Sequence, residues 1–154
     1  MMTELLLPVL ILIPFVGGLF CWLGERLGLG IPRWIALLSM LLTFLLSLQI
    51  WASGDYTMPA IGAQTTQWQL EYQAPWIPAL GISFHLALDG LSLLMIMLTG
   101  LLGFMAVACS WSEIQRHVGF FHLNLLWSLG GVIGVFLAID MFLFFFFWEM
   151  MLVP

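Results

Sequence analysis

Of 154 residues, 63% are hydrophobic and 7% charged, with a net charge of -5 at pH 7 and three basic side chains. Soluble domains carry about 25% charged residues, so this composition, with a mean hydropathy of +1.13, excludes a water-soluble fold and indicates an integral membrane protein embedded in the lipid bilayer. It leaves no basic footprint for nucleic acid. Cys21 and Cys109 lack CxxC spacing, and His85, His117 and His122 form no HxH or HxxxH pair. No metal or cofactor site is therefore expected within this chain.

Residues 5–23 form the first apolar span. No basic residue precedes it, so it reads as a retained transmembrane helix, not a cleaved signal. A polar turn with Glu25, Arg26 and Arg33 follows, and Pro32 suits the start of a second helix over residues 34–51. The long polar segment 52–88 contains Asp55 and Glu71 but no Lys or Arg. Its stretches 67–72 and 82–86 alternate polar and apolar residues on either side of a proline-bearing loop, which predicts a small β-hairpin on the membrane surface. His85 and Asp89 are expected to hydrogen-bond there.

Asp89 is a predicted N-cap for a third helix over residues 90–111. A turn with Glu113, Arg116 and His117 leads to a fourth helix over 120–138, and Asp140 opens a fifth over 140–154. The arginines all fall in the first and third connections. By the positive-inside rule those connections are cytoplasmic, and the N-terminus and hairpin loop are outside.

The fifth segment, Asp-Met-Phe-Leu-Phe-Phe-Phe-Phe-Trp-Glu-Met-Met-Leu-Val-Pro, holds one carboxylate, Glu149, nine residues after Asp140. A helical rise of about 1.5 Å per residue places it roughly 13 Å inward, near the middle of a hydrocarbon core about 30 Å thick. An ionisable group at that depth costs at least ~2.5 kcal/mol and normally serves transport. Burial disfavours the charged carboxylate, so the group must hold a proton or meet a cation; alternation between the two is a proton switch. From Asp140 to Pro154 a helix rises only about 21 Å, less than a crossing. The chain is therefore expected to be the N-terminal part of a larger polytopic subunit, with residues 1–154 forming a single membrane region.

Around Glu149, counting back from Ala138 places Ser128 to Gly131 at its depth. Gly130, Gly134 and Ala138 recur every fourth residue, a stripe that permits close approach of the fourth and fifth helices. Asp140 reads first as a cap, and His122 with Asn124 as a satisfied polar pair. Asp140, His122, Asn124 and Ser128 are also the candidate members of a proton path.

Three stretches carry a resemblance: Gly-Ile-Ser-Phe-His-Leu-Ala-Leu-Asp-Gly-Leu-Ser-Leu-Leu-Met at 81–95, Phe-Phe-His-Leu-Asn-Leu-Leu-Trp at 120–127, and Gly130 through Pro154 with its Phe-Phe-Trp-Glu-Met motif. They resemble the chain M family of antiporter-like subunits in bacterial proton-pumping NADH-quinone oxidoreductase, respiratory complex I. The resemblance implies a polytopic subunit built on inverted repeats, in which Glu149 matches an essential fifth-helix glutamate that works with a seventh-helix lysine. It also implies other complex I membrane subunits as partners, with NADH, FMN, iron–sulfur clusters and quinone bound by partner subunits and none by this chain. The implied location is the bacterial inner membrane.

The resulting expectation is an all-α integral membrane fold of about five transmembrane helices, the fifth truncated, with a small external β-hairpin loop. Its function would be proton translocation coupled to NADH-to-quinone electron transfer. The rival readings are a subunit of a cation/proton antiporter or membrane-bound hydrogenase, and a structural membrane anchor in which Glu149 is a packing acid. The orientation has a direct test in intact cells, using single cysteines in a variant with Cys21 and Cys109 replaced. A membrane-impermeant reagent should label position 64 and spare position 115, and the opposite pattern would invert the topology.

Overall fold

The computed structural model describes residues 5–28, 30–54, 68–77 and 81–154. They form α1 (Leu6–Gly24), α2 (Ile31–Ser53), β1 (Leu70–Ile77), β2 (Ile82–Leu88), α3 (Gly90–Glu113), α4 (Val118–Leu137) and α5 (Met141–Leu152). The first four helices, of 19, 23, 24 and 20 residues, are each long and apolar enough to cross a membrane. The shorter α5 has 12 residues. The fold is thus mostly helical, with four spanning helices, a short fifth and a two-stranded antiparallel hairpin. The rest of the expected loop, residues 55–67 and 78–80, lies outside the described residues.

Local sequence explains where the helices begin. Pro32 occupies the first turn of α2, where its missing N–H breaks no helical bond, so α2 starts at Ile31, ahead of Trp34. Asp89 caps α3 by accepting from Ser92 N at 2.8 Å. Within the spans, Ser39, Thr43 and Thr99 return their hydroxyls to the carbonyls of Ile35, Ser39 and Met95 at 2.7–2.9 Å. Polar side chains are thereby satisfied inside a helix instead of facing lipid unpaired.

α1 packs on both α2 and α4, α2 on α3, and α5 on α4. Two apolar clusters divide the bundle along its length. One joins Leu7, Leu10, Ile50, Leu93, Ile96, Ile133, Leu137, Leu143 and Phe147 to Leu86 and Leu88 of β2. The hairpin therefore closes one end of the bundle with its own buried leucines. The other cluster, Cys21, Ala36, Met40, Val107 and Leu126, lies toward the arginine-bearing turns.

Glycines set the closest helix approaches. A Cβ at Gly103 would lie 2.6 Å from Met40 Cε, and one at Gly100 would lie 3.2 Å from the Phe44 backbone. At Gly134 a Cβ would collide with the Phe147 ring, whereas at Gly30 nothing lies within 4 Å. In the full-length subunit, Gly134→Ala should destabilise by about 1–3 kcal/mol through overpacking. Gly30→Ala, away from any contact, should stay within about 0.5 kcal/mol of the parent. Thermal unfolding of the purified membrane complex would compare the two.

Candidate functional site

The start of α5 is built by its contacts with the hairpin. Ala138 and Asp140 are extended, at ψ 123° and 130°. Between them, the Ile139 N–H donates to the His85 carbonyl at 3.1 Å. Leu86 and Ala138 form an antiparallel bridge, so the junction behaves as a short third strand beside β2. Asp140 Oδ1 then accepts from Phe142 N at 2.8 Å and Leu143 N at 3.4 Å, which satisfies donors that the first helical turn leaves open.

Rings fix the rotation of α5. Trp76 meets Phe142 and Phe146 edge-on at centroid distances of 6.0 and 5.7 Å. Phe84 meets Phe147 at 6.5 Å. Phe147 is itself buried against Gly134, and one turn on Met151 lies against Gly131, where an added Cβ would come within 3.1 Å of the Met151 backbone. With Leu143, Phe147 and Met151 facing α4, Glu149 points away from it. Its side chain is exposed on a face of α5 that no described residue covers.

Several expectations about this neighbourhood change. The Gly134–Phe147 and Gly131–Met151 contacts put Glu149 level with residues 132–133, just past the hairpin-side end of the Ser128 to Gly131 stretch. The reason is the extended junction, which carries the chain beyond the end of α4 before α5 turns back. Gly130 faces Phe15 of α1, whose ring an added Cβ would approach to 3.1 Å, and not α5. Positions four apart on a helix drift by about 40°, enough to turn Gly130 toward a different neighbour from Gly134. Ala138, past the end of α4, makes the bridge to Leu86 instead of a helix contact.

His122 and Asn124 do not share a site. Asn124 lines a cleft of about 430 Å³ with Phe120, Leu123, Trp127, Val153 and Pro154, beside the end of α5. His122 is fully buried in the bundle, its Nδ1 2.7 Å from the Val118 carbonyl oxygen. The two are separated by roughly 200° around the helix. His85 pairs with Glu71 on β1 at 2.7 Å, not with Asp89. Four residues of strand extend about 13 Å, too far for His85 to reach the α3 cap.

Trp76 and Phe84 are the positioning residues that the sequence pattern did not reveal. Their alternation in the strands marks one face, but only the fold shows that this face receives α5. The described residues contain no group of three His, Cys, Asp or Glu side chains placed to hold a metal.

No protein-family model matches the chain. It is 67% identical over 150 residues to NADH-quinone oxidoreductase subunit M of Escherichia coli K12, covering 97% of this chain and 29% of that protein. The corresponding subunit M of Pseudomonas aeruginosa is 66% identical over 151 residues, covering 97% and 30%. Among solved structures, respiratory complex I from Thermus thermophilus with bound NADH contains a chain matching at TM-score 0.76 and 28% identity, over 96% of this chain and 27% of that one. The membrane-bound sulfane sulfur reductase, an archaeal respiratory membrane complex, contains another at TM-score 0.75 and 27% identity, over 95% and 21%. The chain therefore spans under a third of the length of the curated relatives it matches. Spanning helices and bacterial relatives together make it a multi-pass protein of the bacterial inner membrane. By sequence, across nearly all its residues, the chain belongs to the NADH-quinone oxidoreductase subunit M family.

Proposed function

We propose that this chain forms part of a proton-translocating, antiporter-like membrane subunit of NADH-quinone oxidoreductase, with Glu149 as the proton-transfer group. The observation that carries the reading is the position of Glu149. It is the one ionisable side chain between Met141 and Pro154, about 13 Å along α5 from the cap, on a face that the described helices leave open. In hydrocarbon a carboxyl is cheaper to hold as the acid than as a lone anion, and a nearby cation favours the paired carboxylate. The resemblance implies a lysine ammonium as that cation. When the cation withdraws, the carboxylate takes up a proton again, and translocation follows where uptake and release open to opposite sides of the membrane.

Asn124 and Ser128 of α4 are the proposed polar stations on the arginine-rich side, Asn124 lining the cleft beside α5. Asp140, which caps α5, fixes the helix from the hairpin side and is assigned to geometry, not proton transfer. Partner subunits of respiratory complex I would bind NADH, FMN, iron–sulfur clusters and quinone and supply the driving energy. In this reading the N-terminus and hairpin face outside and the arginine-bearing turns face the cytoplasm. The high identity to subunit M supports this assignment over a cation/proton antiporter or hydrogenase subunit. The match to the sulfane sulfur reductase complex supports a common helical frame serving different redox partners.

Glu149→Gln keeps size and hydrogen bonding but cannot release a proton at neutral pH, so turnover and pumping should collapse while the complex still assembles. Glu149→Asp should retain part of the activity. NADH oxidation and proton uptake in inverted membrane vesicles, normalised to assembled complex, measure both; parent rate and stoichiometry in Glu149→Gln would make Glu149 a packing acid. For Asp140, Asn preserves the capping oxygen and should preserve pumping, whereas Ala should lower stability by about 0.5–2 kcal/mol. Loss of pumping in a stable Asp140→Asn complex would move Asp140 into the proton path.

A further inference from the structure

Among the described residues, three buried side-chain polar atoms have no hydrogen-bond partner: Arg33 Nε, Gln69 Oε1 and His122 Nε2. Arg33 and His122 lie near the starts of α2 and α4, helices that both enter from the arginine-bearing side. Ala36 and Leu126, about one turn further along each helix, belong to the same buried cluster. Arg33 and His122 are therefore level on neighbouring helices, α2 and α4 being packed against each other.

The two unpartnered atoms are chemically complementary. The Val118 carbonyl beside Nδ1 can only accept, so Nδ1 carries the ring proton and the neutral ring presents Nε2 as an acceptor. Arg33 Nε is a donor only. Neither group is free to turn elsewhere. The Arg33 Nη2 donates to the Ile114 carbonyl at 2.8 Å, and its guanidinium lies 5.9 Å above the Trp111 ring, which Trp34 holds edge-on at 5.3 Å.

The occupant that satisfies both atoms must be small, because His122 is 0% exposed within this chain alone. It must accept on one side and donate on the other. A halide fails the second condition, since it would meet the lone pair of Nε2. Water meets both conditions, and buried waters are characteristically held by two to four such groups.

We propose that one water molecule is bound between Arg33 Nε and His122 Nε2, accepting from the first and donating to the second, and ties α2 to α4 inside the bundle. The assignment is independent of the role of Glu149. It makes His122 a fixed acceptor, with the proton route to Glu149 on the opposite, Asn124-bearing side of α4.

The test is an electron cryomicroscopy map of the intact membrane complex with the full-length chain, at a resolution that shows ordered water. A single peak about 2.7–3.2 Å from both nitrogens is expected. No peak, a peak on one nitrogen alone, or a side chain seated on Nε2 would overturn the assignment. His122→Phe keeps ring volume but removes the acceptor, so the peak should vanish from the variant's map, and its persistence would show that His122 does not hold it. Should that variant not assemble, the parent map decides alone.

Discussion

The constraint on which this structure depends is that the chain must reverse between α4 and α5 without leaving peptide groups unpaired. An unsatisfied backbone group costs several kcal/mol in hydrocarbon, and a helix reversal exposes carbonyls at one end and N–H groups at the next start. Here the reversal borrows the edge of β2. Ile139 gives its N–H to His85, Ala138 bridges Leu86, and Asp140 takes up the first donors of α5. The hairpin is thereby part of the helical core, its leucines buried with those of four helices.

That junction transmits position. Once Ala138 and Ile139 are fixed on β2 and Phe147 is wedged against Gly134, neither the height nor the rotation of α5 remains free. Glu149 then follows from helical geometry alone, two residues past Phe147 and about 200° around. An apolar helix such as α5 could otherwise rotate in lipid at little cost, because lipid tails and aromatic side chains offer similar surroundings. Ring contacts with Trp76 and Phe84 and steric fit at glycine supply the specificity that hydrophobicity does not.

The two ends of the bundle are held by different chemistry. At the hairpin end, backbone pairing and aromatic edges predominate. At the arginine end, Arg33 reaches from α2 to the last carbonyl of the α3 segment and lies over Trp111, while Cys21 Sγ donates to Pro32 O at 3.2 Å across the α1–α2 turn. A guanidinium suits this place because its planar fork can donate to a carbonyl while its face stacks on a ring.

The sequence by itself determined the class of the protein and the positions of its helices, because hydrocarbon thickness dictates span length and Asp89, Pro32 and Asp140 act on their own immediate backbone. It also singled out Glu149, since a lone carboxylate in an apolar run is conspicuous without any knowledge of packing. The alternation in the strands was legible too, as side chains of a strand alternate between faces. Only the tertiary structure decided what those faces meet. The height of α5 against α4, the turn of Gly130 toward Phe15, the pairing of His85 with Glu71 and the separation of His122 from Asn124 all depend on how elements dock. Spacing along one helix fixes angles about its own axis, but it carries no record of the height or rotation at which a neighbour is set. In this chain that was settled by two junction residues, Ala138 and Ile139, paired with a strand about fifty positions earlier.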